Sequence, residues 1–201
     1  MLSIFSLYLV AKVGLPVLWM GLFCFMVGYL YSFGPHPISS LPLGELFSGF
    51  TMGFMIVLLS VYINSFQAFD WNWITIGRIF LLALADKLWI SNLMLANNLC
   101  DAQEDEDNHR TTIIHFIGKK GGLIAFSIKN VLAFLVIFLL PFLGIAPKTV
   151  WLTVIIVPFV YKQNKILIGK QVKTETFITG VKTLLVGSLT YLITYFLGIL
   201  F

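Results

Sequence analysis

Six long apolar stretches, roughly 14–32, 47–65, 73–96, 122–143, 149–166 and 177–200, decide what this chain can fold into. Each approaches the ~20 residues that a helix rising about 1.5 Å per residue needs to cross hydrocarbon. In lipid every backbone N–H and C=O must be satisfied internally, which leaves only helices and closed barrels. The runs are continuous rather than alternating. The sequence therefore predicts an all-α, polytopic transmembrane bundle of six full spans plus a partial N-terminal helix, one domain over 1–201. The fifth run is the most interrupted, with Pro158 inside it and Lys162 and Lys165 at its end. Composition agrees: 59% of the 201 residues are hydrophobic and 11% charged, where a soluble domain carries about 25% charged residues. The bilayer is thus the first partner. Lysines scattered between apolar runs describe membrane orientation and give no case for nucleic acid. Cys24 and Cys100 are too few and too distant for a disulfide framework or a metal site. The start, MLSIFSLYLVAKVG, has neither a basic n-region nor a cleavage site.

Polar connections separate the runs at Gly34–Glu45, Asn64–Asn72, Asn97–Lys120, Gly144–Lys148 and Lys162–Thr176. Alternating the spans gathers the first, third and fifth on one side, with Arg110, Lys119, Lys120, Lys162, Lys165, Lys170 and Lys173. The other side offers Lys148, with Lys12 and Arg78 near span ends. The positive-inside rule makes the first side cytoplasmic, in a bacterial plasma membrane. Residues 1–11 are apolar but too short to span. They read as the rear half of a helix, or as a short interfacial segment.

Five of the nine acidic residues fall within seven positions: Asp101, Glu104, Asp105, Glu106 and Asp107. Asn97 and Asn98 precede them and Arg110 follows. Asn97, Asp101 and Asp105 recur every four residues, so a helix continued past the bilayer would carry them as one stripe drifting only ~40° per step. An amide and two carboxylates form a hard oxygen site suited to Mg²⁺, which bridges a carboxylate or two to substrate phosphates. Arg110, Lys119 and Lys120 would neutralise the remaining phosphate oxygens. Spacing alone leaves two readings, a metal–phosphate site and a solvated charge run.

The run Asn97-Asn98-Leu99-Cys100-Asp101-Ala102-Gln103-Glu104-Asp105, with Arg110-Thr111 after it, resembles the second aspartate-rich motif of UbiA-type intramembrane prenyltransferases. The likeness is strongest to the branch that prenylates dihydroxynaphthoate in menaquinone synthesis. Tyr31, Gly34-Pro35 and Pro42-Leu43-Gly44-Glu45 resemble that branch's segment after its fourth helix. The resemblance implies about nine helices, each long enough to span, around a central cavity open to the membrane. It implies two aspartate-rich motifs holding Mg²⁺ and a polyprenyl diphosphate, whose prenyl group passes to an aromatic acceptor. Carried over by residue, Asp101 and Asp105 would be catalytic, and Asn97, Asp101 and Asp105 would ligate the metal. Asn97, Asn98, Arg110, Glu45, Asp86 and Lys119 would contact substrate. The first motif, Asn-x-x-x-Asp-x-x-x-Asp, is absent: outside the loop stand only Glu45, Asp70, Asp86 and Glu175, and no two have that spacing. The chain is expected to be about the C-terminal two-thirds of such an enzyme, without its first two and a half helices.

Other polar residues carry paired readings. Asp86 and Lys87 lie inside the third span, where ionisable side chains default to functional candidates. Asp86 precedes Asn97 by three turns, on the same face and ~16 Å deeper. It would line a cavity or pair with a lysine of another helix. Glu45 opens the second span, where the helix dipole alone accounts for an acid and the resemblance suggests a site. Lys129 and Lys182 would snorkel to the interface. His36, His109 and His115 lack metal-ligand spacing. Three functions follow: a prenyltransferase, a fragment or half that works only with a separately encoded N-terminal half, and a cation transporter. The last lacks the inverted repeat or paired broken helices such proteins show.

Overall fold

The structure, a computed structural model, describes residues 2–201, with side chains from Ser6 onward. Its helices are α1 (Leu2–Val13), α2 (Leu15–Ser32), α3 (Gly44–Ser65), α4 (Trp73–Cys100), α5 (Ala102–Asp107), α6 (Ile113–Leu139), α7 (Lys148–Gly169) and α8 (Phe177–Leu200). A 3₁₀ turn, Ile38–Ser40, lies between α2 and α3, and no strand occurs among the described residues. Helices α2, α3, α4, α6, α7 and α8 are each long and apolar enough to cross a membrane. They coincide with the six predicted runs. Polarity is distributed as lipid demands. Phe25, Val131 and Ile155 face outward, while Asn92, Asn130, Thr153, Thr179 and Thr183 are buried. The chain is an integral membrane protein.

Helix α4 is the hub, packed by α3, α6 and α8. Small residues on its neighbours let the backbones close in, the usual device where lipid offers no hydrophobic drive. A Cβ on Gly53 would lie 2.5 Å from Lys87 Cα, and one on Gly49 would lie 2.8 Å from Lys87 O. Gly187 of α8 lies against the ring of fully buried Trp89, where a Cβ would come within 2.9 Å. Gly122 of α6 meets Leu99 in the same way. Between its α-helical ends α3 is wound as a π-helix over Gly49–Met55, the stretch that carries both close-packed glycines.

Two spans differ from the continuous helices expected. In α7 the first nine residues, Lys148–Ile156, are wound as 3₁₀, and the α-helix starts at Val157. Pro158 therefore sits in a first turn, where its missing N–H breaks no intrahelical bond. Helix α6 begins nine residues earlier than the apolar run and bends at Gly118, whose φ of +68° suits glycine. That bend lets Ile113–Ile117 lie beneath the acidic loop. Opposite that loop, Tyr62, Phe69 and Trp71 cluster, as aromatic rings do at membrane interfaces. The Tyr62 hydroxyl donates to Val13 O (2.7 Å), tying α1 to α3.

Candidate functional site

Helix α4 does not run on through the acidic segment. It ends at Cys100, and Asp101 (φ −95°, ψ 4°) caps it and starts α5. The amide ladder is nearly kept, with Asp101 N–H donating to Asn97 O (2.9 Å) and Asp105 N–H to Asp101 O (2.8 Å). The side chains separate into two groups. Asn97 Nδ2 donates to Asp101 Oδ2 (3.0 Å), and Lys173 Nζ donates to both Asn97 Oδ1 and Asp101 Oδ2. Asp105 turns the other way, to an ion pair with Arg110 (Nη1 to Oδ1, 3.0 Å). The second oxygen of Asp105, Oδ2, is buried with no hydrogen-bond partner.

Three connections on one side of the bundle are knotted together here. His109, with φ +54°, turns the chain so that Arg110 N–H donates to Asp105 O (2.8 Å). Arg110 Nη2 then donates to Ser39 O (2.9 Å), and Thr111 N–H to Ser40 O (2.9 Å). Lys173 brings in the α7–α8 connection from more than seventy residues away. Burial pushes the Asp105 carboxyl above its ordinary value; Arg110 opposes this, Asp101 and Glu104 add to it, and Lys173 opposes it. A carboxyl raised in the fold favours the folded state when protonated. Its contribution is full below the unfolded pKa and is lost as pH rises through the folded one.

Two cavities flank the knot. One of about 330 Å³ is lined by Asp105, Glu106, Arg110, His115 and Lys119, so Lys119 shares a space with the Asp105–Arg110 pair. The other, about 310 Å³, enters the bundle and holds Glu45, Lys87, Ser91 and Lys129 among apolar side chains. Asn98 belongs to the second group: it is buried and donates to Glu45 Oε1 (2.8 Å). Glu45 thus stands in a first helical turn and in a polar cluster at once. Among the described residues no lysine forms an ion pair with Asp86. Its Oδ1 accepts from Ser188 Oγ (2.6 Å), and it lines a separate cavity of about 180 Å³ with Tyr191 and Tyr195. Lys129 does not snorkel. Its Nζ donates to Ser91 Oγ (2.8 Å) inside the bundle, because helix α6 turns that face toward α4. Lys182 is exposed, as snorkelling requires.

Among the described residues no three His, Cys, Asp or Glu side chains gather as a metal cluster. The oxygen donors nevertheless fit a hard cation. Asn97 Oδ1 and Asp101 Oδ2 already grip one cationic group, the Lys173 ammonium, whereas Asp105 faces away with its Oδ2 buried and would have to turn to join them. Mg²⁺ needs only a carboxylate or two from protein and takes the rest from water and phosphate. Lys173 is the member that sequence reasoning placed only by its side of the membrane. No local spacing links residue 173 to residues 97 and 101; only the folding of α8 against α4 does.

The comparisons with known proteins point the same way. Residues 1–178 match the family model described as the UbiA prenyltransferase family. The chain is 31% identical over 138 residues to a 1,4-dihydroxy-2-naphthoate octaprenyltransferase of Bacillus subtilis (strain 168), a match that covers 69% of this chain. It spans 42% of that curated relative's length. No solved structure matches the chain significantly. With the aspartate-rich segment, the six spans and the matched residues in agreement, the chain belongs to the UbiA prenyltransferase family.

Proposed function

We propose that this chain takes part in transferring a polyprenyl group from a polyprenyl diphosphate to a dihydroxynaphthoate-like aromatic acceptor, a step toward menaquinone. The observation that carries the reading is the knot of Asn97, Asp101, Asp105, Arg110 and Lys173 at one end of a membrane bundle, with Asp105 and Arg110 lining a cavity there. Asn97, Asp101 and Asp105 would hold Mg²⁺, which would supply the positive charge that offsets the leaving diphosphate. Arg110 and Lys119, which line one cavity, would donate to phosphate oxygens and offset their charge. The prenyl C–O bond breaks, its electron pair leaves with the diphosphate, and an allylic cation remains. A ring carbon of the acceptor attacks that cation and then loses its proton. The apolar cavity wall excludes water, which would otherwise capture the cation.

A first aspartate-rich motif has no counterpart among Glu45, Asp70, Asp86 and Glu175. Turnover therefore draws on a segment outside these 201 residues, of the same polypeptide or of a separately encoded N-terminal half. The acidic side faces the cytoplasm of a bacterial plasma membrane, by the excess of Lys and Arg there. The test is Mg²⁺-dependent release of diphosphate and formation of prenylated naphthoate, with and without an added N-terminal half. Transfer that needs Mg²⁺, is lost in EDTA and is restored by the added half is expected. If Asp101→Ala and Asp105→Ala leave that complemented activity intact, the site assignment fails.

A further inference from the structure

The cavity beside the knot holds two lysines and one carboxylate, which leaves one cationic charge without an acid. Glu45 Oε1 accepts from Asn98. Lys129 is half-buried in the bundle, and its Nζ donates to the hydroxyl of Ser91 (2.8 Å). Lys87, one turn before Ser91 on α4, has its Nζ 5.5 Å from the centre of the Phe80 ring. Among the described residues no ion pair joins either lysine to an acid. Cationic side chains within a membrane bundle are costly unless an anion meets them. The rest of the wall is apolar, with Leu46, Leu88 and Ile117 among its members. A ligand that fits is a flat apolar body bearing one anionic group.

We infer that Lys129 and Lys87 recognise the carboxylate of the aromatic acceptor and so set acceptor specificity. The inference rests on the prenyl-transfer reading. Diphosphate is the competing anion, and the geometry disfavours it in this cavity. Beyond the two lysines and Ser91 the wall is largely apolar, so a diphosphate would bury oxygens there without donors, whereas a single carboxylate would not. The groups suited to diphosphate, Arg110 and Lys119, line the other cavity. A carboxylate on Lys129 would also fix which edge of the ring faces the mouth, and hence which carbon meets the prenyl cation.

The test is binding of two redox-stable probes that differ only in the carboxylate, 1-hydroxy-2-naphthoate and 1-naphthol, to the chain in lipid nanodiscs. Calorimetry on the unaltered chain is expected to favour the naphthoate by at least about tenfold, because a site built for a polar group rejects the analogue lacking it. In Lys129→Met and Lys87→Met the preference should fall toward unity, and Lys129→Arg should restore part of it. Equal affinity of the unaltered chain for the two probes would overturn the inference while leaving prenyl transfer standing. So would a preference unchanged in both Met variants, or Met variants that lose inorganic pyrophosphate binding and keep the naphthoate preference. Binding of neither probe, together with absence of transfer when the N-terminal half is added, would overturn the prenyl-transfer reading itself.

Discussion

Lys173 and Arg110 divide the acidic segment between them. Lys173 occupies the oxygens of Asn97 and Asp101, so a metal ion must compete with it. Lys173→Gln is expected to tighten Mn²⁺ binding in the absence of diphosphate, by roughly two- to fivefold, the range set by a partly exposed ion pair. Electron paramagnetic resonance of the bound ion would measure this, and weaker binding would show that Lys173 builds the site rather than filling it. Arg110 compensates buried Asp105 and clamps Ser39 O with its other nitrogen. Removing it leaves a carboxylate buried without a counter-charge, so Arg110→Ala should cost about 1–3 kcal/mol in detergent, discounted for the partly exposed guanidinium. Arg110→Lys should not restore it, because an ammonium lacks the planar fork. The sign of the pH effect follows from the raised Asp105 carboxyl. In metal-free buffer the Arg110→Ala defect should be full at neutral pH. It should shrink on acidification, beginning above the pH at which an ordinary aspartate takes up its proton.

At the scale of elements, the two glycines of the π-wound part of α3 are the clearest commitments. Gly53 lies where a Cβ would meet Lys87 Cα at 2.5 Å, and backbone cannot give way as a side chain can. Gly53→Ala should destabilise by about 1–3 kcal/mol or more, and it should disturb the cavity that Lys87 lines. Gly21 of α2 is the control, since a Cβ there meets nothing within 4 Å. Gly21→Ala should be neutral or slightly stabilising in the same thermal unfolding assay. These elements also show what the sequence discloses. Continuous apolar runs and polar connections located all six spans, because hydropathy over about 20 residues is a local signal. The break at Asp101 was not legible: spacing of four continues through Asp105 whether or not the helix does. Gly118 is one of three glycines within Gly118–Gly122, so the sequence marks a weak stretch in α6 without telling which of them bends it. The inward direction of Lys129 depends on which face α6 offers to α4, and snorkelling and burial share one sequence signature. Asp86 was legible as costly, yet its partner, Ser188, lies 102 residues away.

For the whole molecule, the fold brings three same-side connections into one knot above a polar cavity. Asn97 and Asp101 were legible as a pair at helical spacing, Asp105 and Arg110 as neighbours, and Lys173 only once α8 had packed on α4. On the proposed reading the chain supplies one jaw of a Mg²⁺–diphosphate clamp, with Lys173 on the oxygens of Asn97 and Asp101. Binding isolates that claim from turnover, which on the same reading draws on a further segment. The direct measurement is calorimetric titration of a polyprenyl diphosphate into the chain in nanodiscs, with Mg²⁺ and with EDTA, for the unaltered protein and for Asp101→Ala. The account predicts binding that requires Mg²⁺ and weakens about ten- to hundredfold in the variant, the loss of one charge-assisted contact. Equal affinity in the variant, with the same response to Mg²⁺, would contradict it.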